Sequence, residues 1–457
     1  MVTEGGKMKL IQLVLVLFIG RFAVMPVVKS EEIEEQPKIV IIGELPRLVV
    51  QDVVPESPAD KAGILPKDII VQYDGKLIST QKELNELRQQ VQTDSVEVVI
   101  VRGGQEMRMM MPSGTLGVYL NELLPDIKYK ADAKVIEGIP KLGWDVGRSN
   151  SFFAALEAIA NYLGIKKTYL LINGLSGGAF RLQFHNDWCP SSPDPTCGFN
   201  AGEEALRVLG LEYQVLHIAK DSSNRDEMKK AILASIDNNK PVLAIDMITT
   251  AEWGVITGYQ NNGDELLCRT FFDRRDGYEI AQKFPWALYI ITGRIEVPQG
   301  IDPYKKSFAI ALKNLKTEKI DAYYSGLAAF DKWILRLEQD DFAALDSAKF
   351  DNACLANAWI YDRLTDDRQN AADYLDRIAL LFPHLHDRLK ALAKIYREES
   401  ELLGKPKGIV IYPFDMKSRD DWGAEMRANE VGLLRQAKAK EEAALRLWGV
   451  IAKTIGR

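Results

Sequence analysis

The stretch VVQDVVPESPADKAGILPKDIIVQYDGKLISTQKELNEL, residues 49–87, decides how the N-terminal part of the chain folds. It opens within a β-branched run at 48–54, breaks at Pro55 and Pro58, resumes as a strand-like run at 68–73 and turns at Asp74-Gly75. Branched side chains suit a pleated, half-buried surface, and Asp-Gly tolerates the positive φ of a tight turn. Thr80 followed by Glu83 forms a capping box, in which each side chain satisfies the other's backbone amide at a helix start. Leu84, Leu87 and Val91 then recur at helical spacing and predict an amphipathic helix over TQKELNELRQQV, 80–91. Runs at 96–102 and 107–111 flank Gly103-Gly104 and add two more strands. One helix among short strands predicts a small β-rich domain over 38–122.

Within it, V-P-x-S-P-A-x-K-A-G-I-x-P-x-D-I-I at 54–70, followed by the Asp74-Gly75 turn, resembles bacterial PDZ domains. The resemblance implies capture of a peptide or a partner's C-terminus by strand addition, in a groove between one strand and the helix beginning near Gln81. It assigns Leu84, Leu87, Val91, Leu116 and Gly117 to peptide binding. PDZ domains place a Gly-Leu-Gly-Phe-like loop before the first groove strand, where backbone amides take the terminal carboxylate. Ile42-Gly43-Glu44-Leu45-Pro46 does not fit that pattern, and Glu44 would repel a carboxylate. Gly114-Thr115-Leu116-Gly117-Val118-Tyr119 fits better and fills the loop if the strand order is permuted. The same residues also read as a plain exit strand into a linker at 121–139, and both readings stand at this point.

The whole chain has 457 residues, enough for about two to four domains. Its 58 Lys and Arg against 64 Asp and Glu leave no basic excess for phosphates, which argues against a nucleic-acid partner. With 47% apolar and 27% charged residues it is too polar for a multi-span membrane protein. Lys7 and Lys9 precede the apolar run LIQLVLVLFIG at 10–20, which predicts a secretory signal over 1–30. The alternative is an uncleaved membrane anchor over 10–28, with Arg21 near its middle at a cost of about 3 kcal/mol. Either places the rest of the chain outside the cytoplasm, in a periplasmic or other extracytoplasmic setting. Without residues 1–30 the balance is 54 basic to 63 acidic, or −9. In an oxidising compartment Cys189 and Cys197, within DWCPSSPDPTCGF, are candidates for a disulfide, the alternative being two unrelated loop thiols. Cys268 and Cys354 fall in a predicted strand and helix as buried apolar residues.

From 138 to 298 helical and strand patterns alternate. A helix at 151–163 stops at Gly164, a second covers 225–237, and strands follow at 241–245, 253–259 and 265–271. SFFAALEAIANYLG (151–164), GLSGGAFRLQF (174–184) and EWGVITGY (252–259), with a strand leading to Asp273, resemble papain-like bacteriocin-processing cysteine peptidases and the N-terminal domain of butirosin biosynthesis protein H. Such a fold uses a thiol at a helix N-terminus, a histidine base and an orienting acid. The resemblance places Ser151, Glu252 and Asp273 at those positions. A carboxylate with a pKa near ~4.3 is a poor base for a hydroxyl, so the expectation leans away from an enzyme and towards a non-catalytic pocket, with Gly177, Gly178 and Arg181 near its rim. The plain readings are a first-turn serine and a solvated acid.

Helical periodicity dominates from 303 onward, as a helical domain over 303–404 and a connection plus terminal helix over 405–457. His384 and His386 lack a third ligand, and neither a metal nor a cofactor is expected. The sequence thus reads as a multidomain α+β protein with an N-terminal β-rich PDZ domain, a central papain-like domain and a C-terminal helical region. Its expected role is exported peptide or protein binding, with an acyltransferase or amide hydrolase using an altered site as the alternative.

Overall fold

Branched strands and two capped helices build the N-terminal part of the computed structural model, which describes residues 45–144, 148–405 and 408–455. The expected leader at 1–30 and the residues Ile42-Gly43-Glu44 lie outside the described residues. Among these, no helix is long and apolar enough to cross a membrane.

The first elements are β1 (Arg47–Val53), α1 (Pro58–Ala62), β2 (Ile69–Tyr73), β3 (Lys76–Leu77), α2 (Gln81–Gln90), β4 (Ser95–Arg102), β5 (Gln105–Pro112) and β6 (Val118–Leu123). They form an antiparallel sheet in the order β5-β4-β2-β1-β6, with β3 beside β2. Ser57 caps α1 and Gly63, at φ 80°, ends it in the left-handed region. At α2 the expected capping box is present: the Glu83 amide donates to Thr80 Oγ1 at 3.2 Å, and the Thr80 amide donates to Glu83 Oε2 at 3.0 Å. The apolar face of α2 covers the sheet, with Leu84 buried among Leu48, Val50, Ile70, Tyr73 and Leu116.

The central region continues with β7 (Lys134–Val135), α3 (Ser151–Tyr162), α4 (Tyr169–Ser176), β8 (Gln183–His185), α5 (Ala201–Val208), β9 (Leu211–His217), α6 (Arg225–Asp237), β10 (Val242–Ile245), β11 (Trp253–Gln260), β12 (Glu265–Arg269), β13 (Glu279–Ile280) and β14 (Ala287–Arg294). An antiparallel sheet runs β13-β12-β11-β10-β14-β9, with β7 on β11. Residues 151–160 of α3 are buried all round, because the sheet side and the neighbouring helices both cover it.

The C-terminal elements are α7 (Asp302–Lys316), β15 (Lys319–Ile320), β16 (Tyr323–Ser325), α8 (Gly326–Gln339), α9 (Ser347–Ile378), α10 (His386–Gly404) and α11 (Ala424–Ile455). They share their cores with the central region. Leu175, Ala179 and Phe180 pack with Phe308, Tyr374, Tyr396 and Trp448, and β16 pairs with β8. A Cβ on Gly174 would lie 2.2 Å from the Tyr374 ring, which shows how closely α4 and α9 approach.

At this junction Arg368 of α9 is fully buried. Its guanidinium meets Glu441 of α11 and, at 3.5 Å, Glu399 of α10, while Nη1 donates to the carbonyls of Ala179 at 3.0 Å and Arg181 at 3.2 Å. Removing the cation would strand two buried carboxyl groups. Arg368→Met is expected to cost about 3–5 kcal/mol in urea denaturation.

About three turns before Glu441 on α11, Glu430 is buried and accepts a hydrogen bond from Asn357 Nδ2 at 2.9 Å. Burial pushes its carboxyl from an ordinary value of 4.5 up to about 8. Between those values the folded chain holds a proton that the unfolded chain has released, so this group's contribution falls as pH rises through that window. Glu430→Gln keeps an acceptor without the ionisation, and thermal melts from pH 5 to 8 are expected to show a smaller loss of stability than wild type.

Candidate functional site

Strand β6 is a sheet edge whose polar groups face two ways. The Gly117 carbonyl accepts from the Val54 amide at 2.9 Å on the β1 side, whereas the Leu120 carbonyl accepts from Gln81 Nε2 at 2.7 Å on the other. Backbone direction alternates along a strand, so Val118, Leu120 and Glu122 turn their amides and carbonyls to the edge that faces α2. Helix α2 lies along that edge. Its Gln81 amide donates to Glu122 Oε2 at 3.2 Å, and Arg88 Nη2 donates to Thr115 Oγ1 at 3.0 Å.

The loop at 113–117 joins β5 to β6 at the head of this groove. Its carbonyls are committed inward, Leu116 O to the Ala59 amide at 2.9 Å and Gly117 O to Val54 and Ser57. The amides of Gly114, Thr115, Leu116 and Gly117 have no acceptor among the described residues. Leu116 is buried and fastens the loop to the core. Gly117 adopts φ 78°, and a Cβ there would lie 2.2 Å from Ser57 Cβ, so both backbone and space require glycine. Arg88 Nη1 also donates to Asn85 Oδ1 at 3.3 Å, while its Nε is buried without a partner. Free amides beside a guanidinium form a cradle for a carboxylate.

Of the residues assigned from sequence, Leu116 and Gly117 sit in the loop between β5 and β6. Leu84 does not line the groove: it is 3% exposed in the core, with Leu87 and Val91 packed around it. The face of α2 turned to β6 carries Gln81, Asn85 and Arg88 at helical spacing, which a search for apolar residues passes over.

In the central region Ser151 opens α3 beneath the Asn150 cap. Its hydroxyl donates to Glu252 Oε2 and accepts from the Trp253 amide at 3.1 Å. Burial raises the Glu252 carboxyl above its usual range, against the lowering effects of the Ser151 bond and of Arg363 on α9. Asp273 does not join this pair. Arg269, four residues earlier, holds its carboxylate at 2.7 Å, and the Thr270 amide donates to it at 2.8 Å. Ser151 and Glu252 are thus hydrogen-bonded to one another, while Asp273 is held by Arg269 and Thr270.

The proposed rim also differs. Gly178 packs where a Cβ would strike the Phe153 ring and Asn173, so its role is close packing. Arg181 is buried and donates to the carbonyls of Ser192, Pro193, Asp194 and Cys197. These bonds hold the proline-rich loop, and of the two readings of Cys189 and Cys197 the structure has the unpaired thiols and not the candidate disulfide. Cys189 Sγ lies 2.9 Å from Ser191 Oγ, which in turn lies 2.9 Å from the Tyr323 hydroxyl. Among the described residues no group of three His, Cys, Asp or Glu is placed to hold a metal ion.

Because Ser151 satisfies both Glu252 and the Trp253 amide, Ser151→Ala leaves two polar groups short of a partner. A loss of about 1–3 kcal/mol in chemical denaturation is expected.

No curated protein matches the chain. The family described as PDZ domain matches residues 49–102, from within β1 to the end of β4. β5, β6 and the loop between them follow that span and complete the sheet whose edge faces α2. Residues 49–102 are therefore a PDZ domain, and protein binding is the role it brings to this chain.

Proposed function

We propose that the protein is exported and captures free C-termini of peptides or partner proteins in the groove between β6 and α2, while the central region serves as a papain-like scaffold without catalytic activity. The observation that carries the first part is the edge of Val118, Leu120 and Glu122 running out from a loop of uncommitted amides beside Arg88. A terminal carboxylate would be held by those amides and the guanidinium, and the chain behind it would extend the sheet antiparallel to β6. Gln81 Nε2 now occupies the Leu120 carbonyl, so its side chain must swing away before a peptide amide can donate there.

The non-catalytic reading rests on Ser151, Glu252 and Asp273. The serine is buried, and Asp273, committed to Arg269, cannot orient a base at Glu252. One observation favours the alternative of an acyltransferase or amide hydrolase: a serine at a helix start donates to a carboxyl group whose proton affinity burial has raised. The export reading rests on the apolar run at 10–20 behind Lys7 and Lys9, with a cleaved signal or a retained anchor over 10–28 as its two forms.

A degenerate peptide library displayed with free C-termini, and the same library amidated, tests the groove. Wild type is expected to select free-carboxylate peptides only, and Arg88→Glu to weaken the selected sequences by about 10- to 100-fold, the range for a charge-assisted hydrogen bond. Equal binding of the amidated library would sink the carboxylate reading. In parallel, acyl thioesters and peptide amides are offered to wild type and Ser151→Ala. Turnover that disappears in the variant would establish the enzyme reading. A reporter active only outside the cytoplasm, fused after residue 44, is expected to be active; an inactive fusion would overturn export.

A further inference from the structure

We propose that the peptide groove is completed by the central region, and that Arg274 reads an acidic side chain six or seven residues from the ligand's C-terminus. The inference rests on the groove reading above and extends it.

The far end of β6 does not open into solvent. Leu124 belongs to the same backbone phase as Val118, Leu120 and Glu122, and its amide donates to the Arg274 carbonyl at 2.5 Å. That carbonyl occupies the place a further peptide residue would take. The segment around it is fixed from several sides. Arg275 donates to the Pro125 carbonyl and pairs with Glu279 at 3.0 Å, Asp126 Oδ1 accepts from the Gly277 amide at 2.6 Å, and Asp276 pairs with Arg47 at 2.6 Å and Lys141 at 2.9 Å.

These contacts set the length of the groove. With the carboxylate on the loop at 114–117 and one-to-one antiparallel pairing, the last ligand residue lies opposite Val118, the third from the end opposite Leu120 and the fifth opposite Glu122. A seventh would lie opposite Leu124, roughly 20 Å along the strand. Because Arg274 already takes that amide, the ligand leaves the sheet after its fifth residue, and its sixth and seventh pass over Arg274.

The charge at this exit is positive and uncommitted. Asp276 is shared by two cations, Glu279 is held by Arg275, and Asp126 accepts from a backbone amide. Arg274 itself is exposed, and its guanidinium has no hydrogen-bond or ion-pair partner among the described residues. A carboxylate on the passing chain would be its complement.

The test uses the full chain and a degenerate decapeptide library displayed with free C-termini, selected against wild type, Arg274→Ala and Arg274→Glu. Wild type is expected to enrich Asp or Glu at the sixth or seventh position from the end. Arg274→Ala should lose that preference, and Arg274→Glu should replace it with Lys or Arg. In a selected sequence, changing the acid to Lys should weaken binding to wild type about three- to fivefold, as for an exposed ion pair, and leave Arg274→Ala unaffected. Preferences confined to the last five positions and identical in all three proteins would overturn the inference while leaving the groove intact. Selection of no free-carboxylate peptide by any of them would overturn the groove reading and this inference together.

Discussion

The buried guanidinium of Arg368 is the contact on which the arrangement of the central and helical regions depends. It joins α9 to Glu399 of α10 and Glu441 of α11, and it also reaches the backbone of the short turn at Gly178–Phe180. A charge taken out of water is tolerated only when its partners are close and its donors are used. Satisfying Arg368 therefore fixes three helices and a central turn at once. Phe180, Tyr374, Tyr396 and Trp448 pack around this junction, so the polar contact supplies registry while the aromatic core supplies most of the burial energy.

The same arrangement shapes the chemistry near Ser151. Arg363 lies on α9, five residues before Arg368, and draws on the Glu252 carboxyl electrostatically from across the boundary between the two regions. Burial opposes that pull. Ser151 and Glu252 are held as a hydrogen-bonded pair, while Asp273 is held by Arg269 instead.

At the other end of the chain the PDZ groove and the central region share a boundary through residues 124–126. Pairing with β1 leaves the other side of β6 without a strand partner along Val118, Leu120 and Glu122, where only the Gln81 side chain reaches the Leu120 carbonyl. Arg274 and Arg275 then take the backbone of Leu124 and Pro125. Once this boundary is fixed, the length of β6 without a strand partner depends on both regions and not on residues 49–102 alone.

Local chemistry was legible in the sequence. The Thr80–Glu83 capping box, the apolar stripe of Leu84, Leu87 and Val91, and the apolar helix beginning at Ser151 each depend on residues within one or two turns of one another, and they determine these elements wherever the chain places them. The Ser-Pro-Ala and Asp-Gly motifs identified the PDZ domain for the same reason. The tertiary structure decided what depends on distant partners. Pairing of β6 with β1, some seventy residues apart, made β6 the edge strand of the sheet and put the loop at 113–117 between β5 and that edge. The polar side of α2 meets β6 only because the two lie side by side, and Asp273 is committed to Arg269 instead of to Ser151 and Glu252. Arg181 took over the proline-rich loop by binding four carbonyls, a role invisible in a side chain's identity because backbone acceptors have no sequence signature. Periodicity and capping act over a few residues and can be read directly, whereas the partner of a charge or a strand edge is set by the three-dimensional approach of segments far apart in the chain.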